Sequence, residues 1–334
     1  MTLRSIQYLI AIAEYHSFTR AAEVLYVSQP SLSQQIKLLE ESLNIQLLDR
    51  SGRNVRLTDA GEVYLRHARR ALRELDAGKR AIHDLQDLSR GSLRLAMTPI
   101  TDFLTRPLLA SFNARYPGIA VSILEMPQNQ IEAALTGDNG ENIDVGIVFS
   151  DTFSSQARSN EIEKHLLFVE KLNVTVGNAH PYAGQQTSLN VQALEQESLA
   201  LLSNNFELRR HIDLYFHEHG IAPHIAIETN SVSVILDIIR HGRLATILPN
   251  TIACELDGIY PISLLPELPH HSITLVRPKG TYKSAACMAF STLAAEWCVS
   301  GCQMTLSCPL KDHSYAAHQE DRSDGEKSEV TPLL

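Results

Sequence analysis

No stretch of the chain approaches the ~18–20 consecutive apolar residues that a bilayer-spanning helix needs, so a membrane partner is not expected. The first residues also lack the apolar core and small-residue cleavage site of a signal peptide, which places the expected chain in the cytoplasm and opposes an exported solute-binding protein. Cysteine is scarce. Cys254, Cys287, Cys298, Cys302 and Cys308 are odd in number and crowd toward the C-terminus, unlike a disulfide framework, and reduced thiols are the expectation. Cys298 and Cys302 stand four apart on an expected helix, yet no second His or Cys pair accompanies them, so neither a metal nor another cofactor is expected. There is no glycine-rich phosphate fingerprint, and "HEHG", His217 to Gly220, has the wrong spacing for a metalloprotease pair. These absences argue against an enzyme on a doubly wound fold.

What is present is enough for a core. The chain has 334 residues, 44% of them apolar, which suits two or three globular domains. Its formal charge of -9 is unevenly spread: residues 1–90 hold 13 Lys/Arg against 11 Asp/Glu, and the remainder hold 16 against 27. A polyanion is therefore tolerated only by the N-terminal part.

That part reads as helical with one short interruption. "LRSIQYLIAIAEY" places Leu3, Ile6, Leu9, Ile10 and Ala13 on one face, and Thr19 is the expected N-cap of the next helix. A three-residue turn, Tyr26 to Ser28, leads to "SQPSLSQQIKLLEESL". Here Leu32, Ile36, Leu39 and Leu43 form the apolar stripe, Ser28 is the expected cap, and Pro30 is tolerated because the first-turn N–H it lacks has no intrahelical partner. A hairpin, or wing, is expected around Ser51-Gly52, with Arg50, Arg53 and Arg56 near its tip. Two helices joined by a tight turn and followed by a basic wing meet the geometric needs of duplex DNA reading. Gln29, Ser31, Ser33 and Gln34 are short polar groups able to reach base edges, Pro30 sets the helix start, and Lys37, Arg50 and Arg53 suit phosphates. Ser28 and Arg20 complete the expected interface.

From Thr58 one helix is expected to run to about Ser89. Tyr64, Ala68, Ala71, Leu75, Gly78, Ile82 and Leu85 alternate by four and three, a seam that calls for a partner helix and hence a dimer. After Ser89, short apolar runs alternate with helical segments. "LRLAM", "IAVSILE", "IDVGIVF", "SLALLS", "HIAIET", "LATILP" and "SITLVRP" read as strands, and a last helix is expected over Tyr282 to Trp297. Such alternation signals a parallel sheet with helices on both faces. Ligands then bind beyond the carboxyl ends of strands, which nominates Thr98 and Thr101 after "LRLAM". The polar stretch beyond Gly301 reads as a disordered tail.

"FTRAAEVLYVSQPSLSQQIKLLEESLNIQLLDRSGRNVRLTDAGEVYL" resembles the winged helix-turn-helix signature of LysR-type transcriptional regulators, and the order of segments resembles that family over residues 1 to about 300. "DRSGRNVRLTDAGEVY", "AGKRAIHDL", "RGSLRLAMTP" and "ETNSVSV" are most similar to cyanate-responsive members. The resemblance implies an α+β multidomain protein: a winged helix-turn-helix domain at 1–58, a linker helix for dimerisation at 59–89, an α/β two-lobe sensor like a periplasmic binding protein at 90–300, and the tail at 301–334. Lobe I would be 91–160 with 266–300, and lobe II 161–265. It further implies promoter DNA and RNA polymerase as partners, assembly into a homodimer or homotetramer, and a small polar or anionic effector such as cyanate. By the same resemblance Gln128, Phe149, Ser203, Asn204, Asn230 and Ser231 join Thr98 and Thr101 in lining the effector cleft.

Overall fold

The computed structural model describes residues 2–52, 54–84, 91–139, 141–149, 160–185 and 188–301. Arg53, the linker beyond Asp84 and the tail beyond Gly301 fall outside these residues. Helices α1 (Leu3–Tyr15), α2 (Phe18–Val24) and α3 (Gln29–Leu43) close on one apolar cluster containing Leu9, Ile12, Ala21, Leu32, Ile36 and Leu39. Each large side chain in it contributes roughly 1.5–3 kcal/mol of burial. Ser17, not Thr19, caps α2, since its hydroxyl accepts from the Arg20 amide at 3.4 Å. The side chain two residues earlier reaches the exposed amides; that of Thr19 already lies inside the first turn. The wing is short, β1 (Leu48–Asp49) against β2 (Arg56–Leu57).

Helix α4 (Asp59–Asp84) starts where Thr58 accepts from the Gly61 amide at 3.0 Å and donates its own amide to the Leu47 carbonyl at 3.0 Å. A Cβ at Gly61 would lie 2.0 Å from that carbonyl oxygen, so only glycine lets the helix start against the base of the wing. The expected seam divides in two. Ala68 is buried, whereas Leu75 and Ile82 are 46% and 64% exposed.

The rest forms two sheets joined by crossing strands. The first orders as β4 (Ile119–Glu125), β3 (Gly91–Met97), β5 (Val145–Val148), β14 (His271–Pro278) and β6 (Ile162–Glu170). Around it lie α5 (Pro99–Arg115), α6 (Gln128–Thr136) and α10 (Ala285–Gly301). The second orders as β10 (His224–Thr229), β9 (Ser198–Leu202), β11 (Ala245–Pro249), β7 (Leu172–Gly177) and β12 (Ile259–Ile262). It carries α7 (Glu207–Glu218), α8 (Val232–His241) and the short α9 (Asn250–Cys254). A two-stranded pair, β8 (Leu189–Asn190) with β13 (Leu264–Leu265), completes the fold.

Several expectations need correction. Neither sheet is purely parallel: β14 runs antiparallel to β5 and β6, and β7 antiparallel to β11 and β12, because the strands that carry the chain between lobes enter each sheet reversed. For the same reason β6 belongs to the first sheet, and the chain crosses at Lys171 instead of near Asn160. The last helix spans Ala285–Gly301 rather than starting near Tyr282, Ser284 accepting from the Cys287 amide at its start. Cys287 and Cys298 form no disulfide, but Cys254 is disulfide-bonded, against the expectation of reduced cysteines throughout. Among the described residues no helix is long and apolar enough to cross a membrane.

Candidate nucleic-acid interface and effector cleft

The first turns of α3 separate their residues by what each can do. Leu32, Ile36 and Leu39 are buried, and this fixes the opposite side outward; Ser28, Gln29, Pro30, Ser31, Gln34 and Lys37 are exposed and Ser33 is half-buried. Ser28 spends its hydroxyl on the Ser31 amide at 3.4 Å, so it orders the helix start and is less free for DNA than its neighbours. Among the described residues Lys37 pairs with Glu41, at 3.8 Å, with both side chains mostly in solvent, a contact worth little. Arg20 is exposed on α2.

Arg50 is placed differently from its expected role. Its guanidinium bonds Glu40 at 2.7 Å and lies 5.2 Å from the centre of the Phe18 ring. The same carboxylate accepts from the amides of Leu47 and Leu48, so Arg50 helps lock the wing onto α3. Sequence reading missed Tyr26. It is 97% exposed with φ of 54° in the turn before α3, and its only signal was a large aromatic in a tight turn.

In the sensor, Thr98 and Thr101 do converge, but chiefly on each other. They form a capping box at the start of α5: Thr98 Oγ1 accepts from the Thr101 amide at 3.3 Å, and Thr101 Oγ1 accepts from the Thr98 amide at 2.9 Å. Thr101 then donates to the Ile147 carbonyl at 2.7 Å. Both are buried. Gln128, buried, opens α6, and Phe149, buried, follows β5. In the second lobe Ser203 and Asn204 sit in the turn after β9, and Ser231 caps α8 by accepting from the Val234 amide, with exposed Asn230 just before it. Helix α5 packs against both α8 and α9, so the two lobes meet along it.

The lobes also meet through a ring stack that joins the expected Phe149 to two residues outside the expected set, His271 and His211. Phe149 lies 4.9 Å from His271, and His271 lies 4.5 Å from His211 of α7 at an interplanar angle of 7°. Burial, with His211 adjacent, pushes His271 down to about 4, so its ring is neutral. His211 faces Glu207 at 3.1 Å, and that hydrogen bond holds the Glu207 carboxyl below its ordinary range. At the crossover, burial pushes Glu170 up to about 7, against the opposing hydrogen bond from Thr251. Nothing in the local sequence pairs residues sixty positions apart, so the stack was not legible.

The linker helix is tied to the first lobe. Arg73 donates to the carbonyls of Ala134, Leu135 and Thr136 at 2.7–3.1 Å, satisfying the open C-terminus of α6. Arg69 donates to the Asp138 carbonyl at 2.7 Å, and Arg66 and Arg70 approach Asp138 and Glu161.

These features agree with what known proteins show. Residues 86–299 match the LysR substrate binding domain, and residues 3–62 match the bacterial regulatory helix-turn-helix protein, lysR family. A probable RuBisCO transcriptional regulator of Thalassiosira pseudonana is 33% identical over 72% of this chain and 78% of its own. A full-length OxyR from Pseudomonas aeruginosa, carrying one substitution, superposes with a TM-score of 0.62 at 22% identity, covering 88% of this chain and 94% of its own. Full-length CbnR complexed with its target DNA superposes with a TM-score of 0.58 at 24% identity, covering 89% and 99%. The two structures establish the shared fold. The chain belongs to the LysR family of transcriptional regulators, with an N-terminal helix-turn-helix and a C-terminal substrate-binding domain.

Proposed function

We propose that the chain binds promoter DNA as an oligomer through the first turns of α3, and that a small polar or anionic effector between the sensor lobes changes its effect on transcription. The observation that carries the reading is the exposed polar start of α3, Gln29 to Gln34, held outward by the buried stripe of Leu32, Ile36 and Leu39. Gln29, Ser31, Ser33 and Gln34 read base edges; Lys37, Arg20 and Arg53 meet phosphates, and Arg50 supports the wing. CbnR, a protein of the same fold, has been seen on its target DNA, which supports this use of the domain. Leu75 and Ile82, exposed on α4, are the surface that a second copy's helix would cover, giving a homodimer and, through the sensors, a homotetramer. RNA polymerase is the remaining partner, and the cytoplasm the location.

The effector site takes Gln128, Phe149, Ser203, Asn204, Asn230 and Ser231 with the α5 helix start. The Thr98 and Thr101 hydroxyls are largely committed to capping, so the Ile100 amide is the donor the first turn still offers, proline at position 99 having none. Uncharged donors around a helix start suit a small anion, and cyanate is the first to test. A gel shift on the chain's own upstream DNA, with and without cyanate, tests both halves. A specific shift altered by cyanate supports them; a shift indifferent to cyanate but altered by another small anion reassigns the effector alone, and no specific shift removes the DNA reading.

A further inference from the structure

A cavity of about 240 Å³ lies between α4 and the first lobe, and none of its lining residues comes from the second lobe. Arg70 and Arg73 supply one wall; Arg277, Lys279 and Lys283 supply the other. The carboxylates in the lining are Glu74 and Asp144, so five cations face two anions in a chain whose formal charge is -9. Two neighbouring carboxylates, Glu161 and Glu163, bring the balance to five cations against four anions. A single carboxylate, Glu163, serves both Arg277 at 3.0 Å and Lys283 at 2.6 Å. Arg73 donates to peptide carbonyls, which carry no net charge, and has Asp138, Glu74 and Glu161 as neighbouring carboxylates. Arg70 reaches Glu161 at 3.4 Å with both side chains nearly half exposed, and Lys279, exposed, has no ion pair among the described residues.

Two further features point the same way. Arg277 is only 7% exposed, and its buried Nε has no hydrogen-bond partner among the described residues. The 17-residue helix α10 begins at the cavity, where Ser284 caps it, adding the positive end of a helix dipole. Cys287, also in the lining, has its thiol pushed up to about 11 by burial, so it presents no thiolate to repel an anion.

We propose that this cavity is a second ligand site, separate from the interlobe cleft, for a small multivalent oxyanion of the phosphate or dicarboxylate class. Its position gives the occupant a consequence. One wall is the helix that carries the DNA-binding domain and the other is the sensor, so the anion bridges the two halves of the chain. By linkage, operator DNA and the anion then alter each other's affinity by the same factor.

The test is calorimetric titration of the full-length chain with inorganic phosphate and, separately, with malonate, at constant ionic strength. The wild type should bind one phosphate per chain, with affinity about tenfold weaker in Lys279→Ala, whose exposed side chain can be removed without harm to the core. Lys279→Glu should abolish the binding, while the cleft variant Asn204→Ala should keep it. Binding of phosphate alone assigns a phosphoryl ligand, and binding of both probes assigns small dianions generally. Absence of binding by either probe at millimolar concentration overturns the proposal. Equal affinity in the wild type and Lys279→Ala overturns it too, as does a loss confined to Asn204→Ala.

Discussion

The hydroxyl of Thr101 donates to the Ile147 carbonyl at 2.7 Å and its oxygen accepts from the Thr98 amide, so the side chain that sequence reasoning assigns to a ligand is spent on the fold. Thr98→Val should therefore lower stability by ~0.5–2 kcal/mol, the usual cost of a lost N-cap, in the absence of any effector. Chemical denaturation measures this. An effector response lost at unchanged stability would make Thr98 a ligand contact instead. His271 and Glu170 give a second residue-scale prediction, in opposite directions. His271 titrates at 6.5 when unfolded and at about 4 in the fold, so its contribution is full above the unfolded value and is lost as pH falls from 6.5 toward 4. Glu170 is raised from 4.5 to about 7, so its contribution is full below 4.5 and is lost as pH rises through 7. Between pH 7 and pH 5 each changes stability by about 2 kcal/mol, and in the wild type the two nearly cancel. On acidification over that range, His271→Phe should leave a gain and Glu170→Gln a loss, the variants differing by about 4 kcal/mol in their response. Parallel responses of the two in urea unfolding would contradict the assignment.

At the scale of elements, the helices of the DNA-binding domain were legible because each carries its own apolar stripe and its own cap; Ser28, Leu32, Ile36 and Leu39 sit where their spacing places them. Strands β6 and β7 were not. β6 is an edge strand whose buried positions, Ile162, Leu167 and Glu170, do not alternate, and Leu166 and Val169 remain exposed. The local pattern therefore carries no period of two. Half the cleft was legible for a similar reason: strand-end turns and helix caps are written in consecutive residues, whereas the Phe149–His271–His211 stack depends on which lobe faces which. The contact of α4 with α6 was also hidden. Its test is Gly137→Ala: the backbone there has φ of 85°, and a Cβ would lie 2.1 Å from the Arg73 guanidinium. Arg73→Ala removes the donors instead, leaving three α6 carbonyls without them, at ~1–3 kcal/mol for each that water cannot reach. Both variants should speed amide exchange at the end of α6 while leaving α1 to α3 unchanged. Protection at α6 equal to wild type would show that the arginine does not hold the helix end. In the same helix, Leu75→Glu places a charge in the exposed seam and should yield monomers by sedimentation; an intact dimer would put the interface elsewhere.

At the scale of the molecule, charge is distributed so that DNA affinity comes from few groups. Arg66, Arg69, Arg70 and Arg73 face the first lobe, and Arg50 is tied to Glu40, which leaves Arg4, Arg20, Lys37 and Arg56 as the exposed Lys and Arg side chains described ahead of α4. A monomer with so few phosphate contacts binds weakly. On the proposed reading, two copies presenting α3 helices about one DNA turn (~34 Å) apart would supply the rest. Salt sensitivity should accordingly be modest per chain, and sequence preference should rest on the polar start of α3. The most direct measurement is fluorescence anisotropy of the full-length chain on its own upstream DNA and on a scrambled duplex, across a salt series, for wild type, Gln29→Ala and Lys37→Ala. Gln29→Ala should lose ~1–3 kcal/mol on the upstream DNA alone with its salt slope unchanged, and Lys37→Ala should weaken both duplexes and reduce the slope by about one. Equal affinity of the wild type for both duplexes, or equal losses on both in Gln29→Ala, would contradict α3 as the reader of DNA sequence.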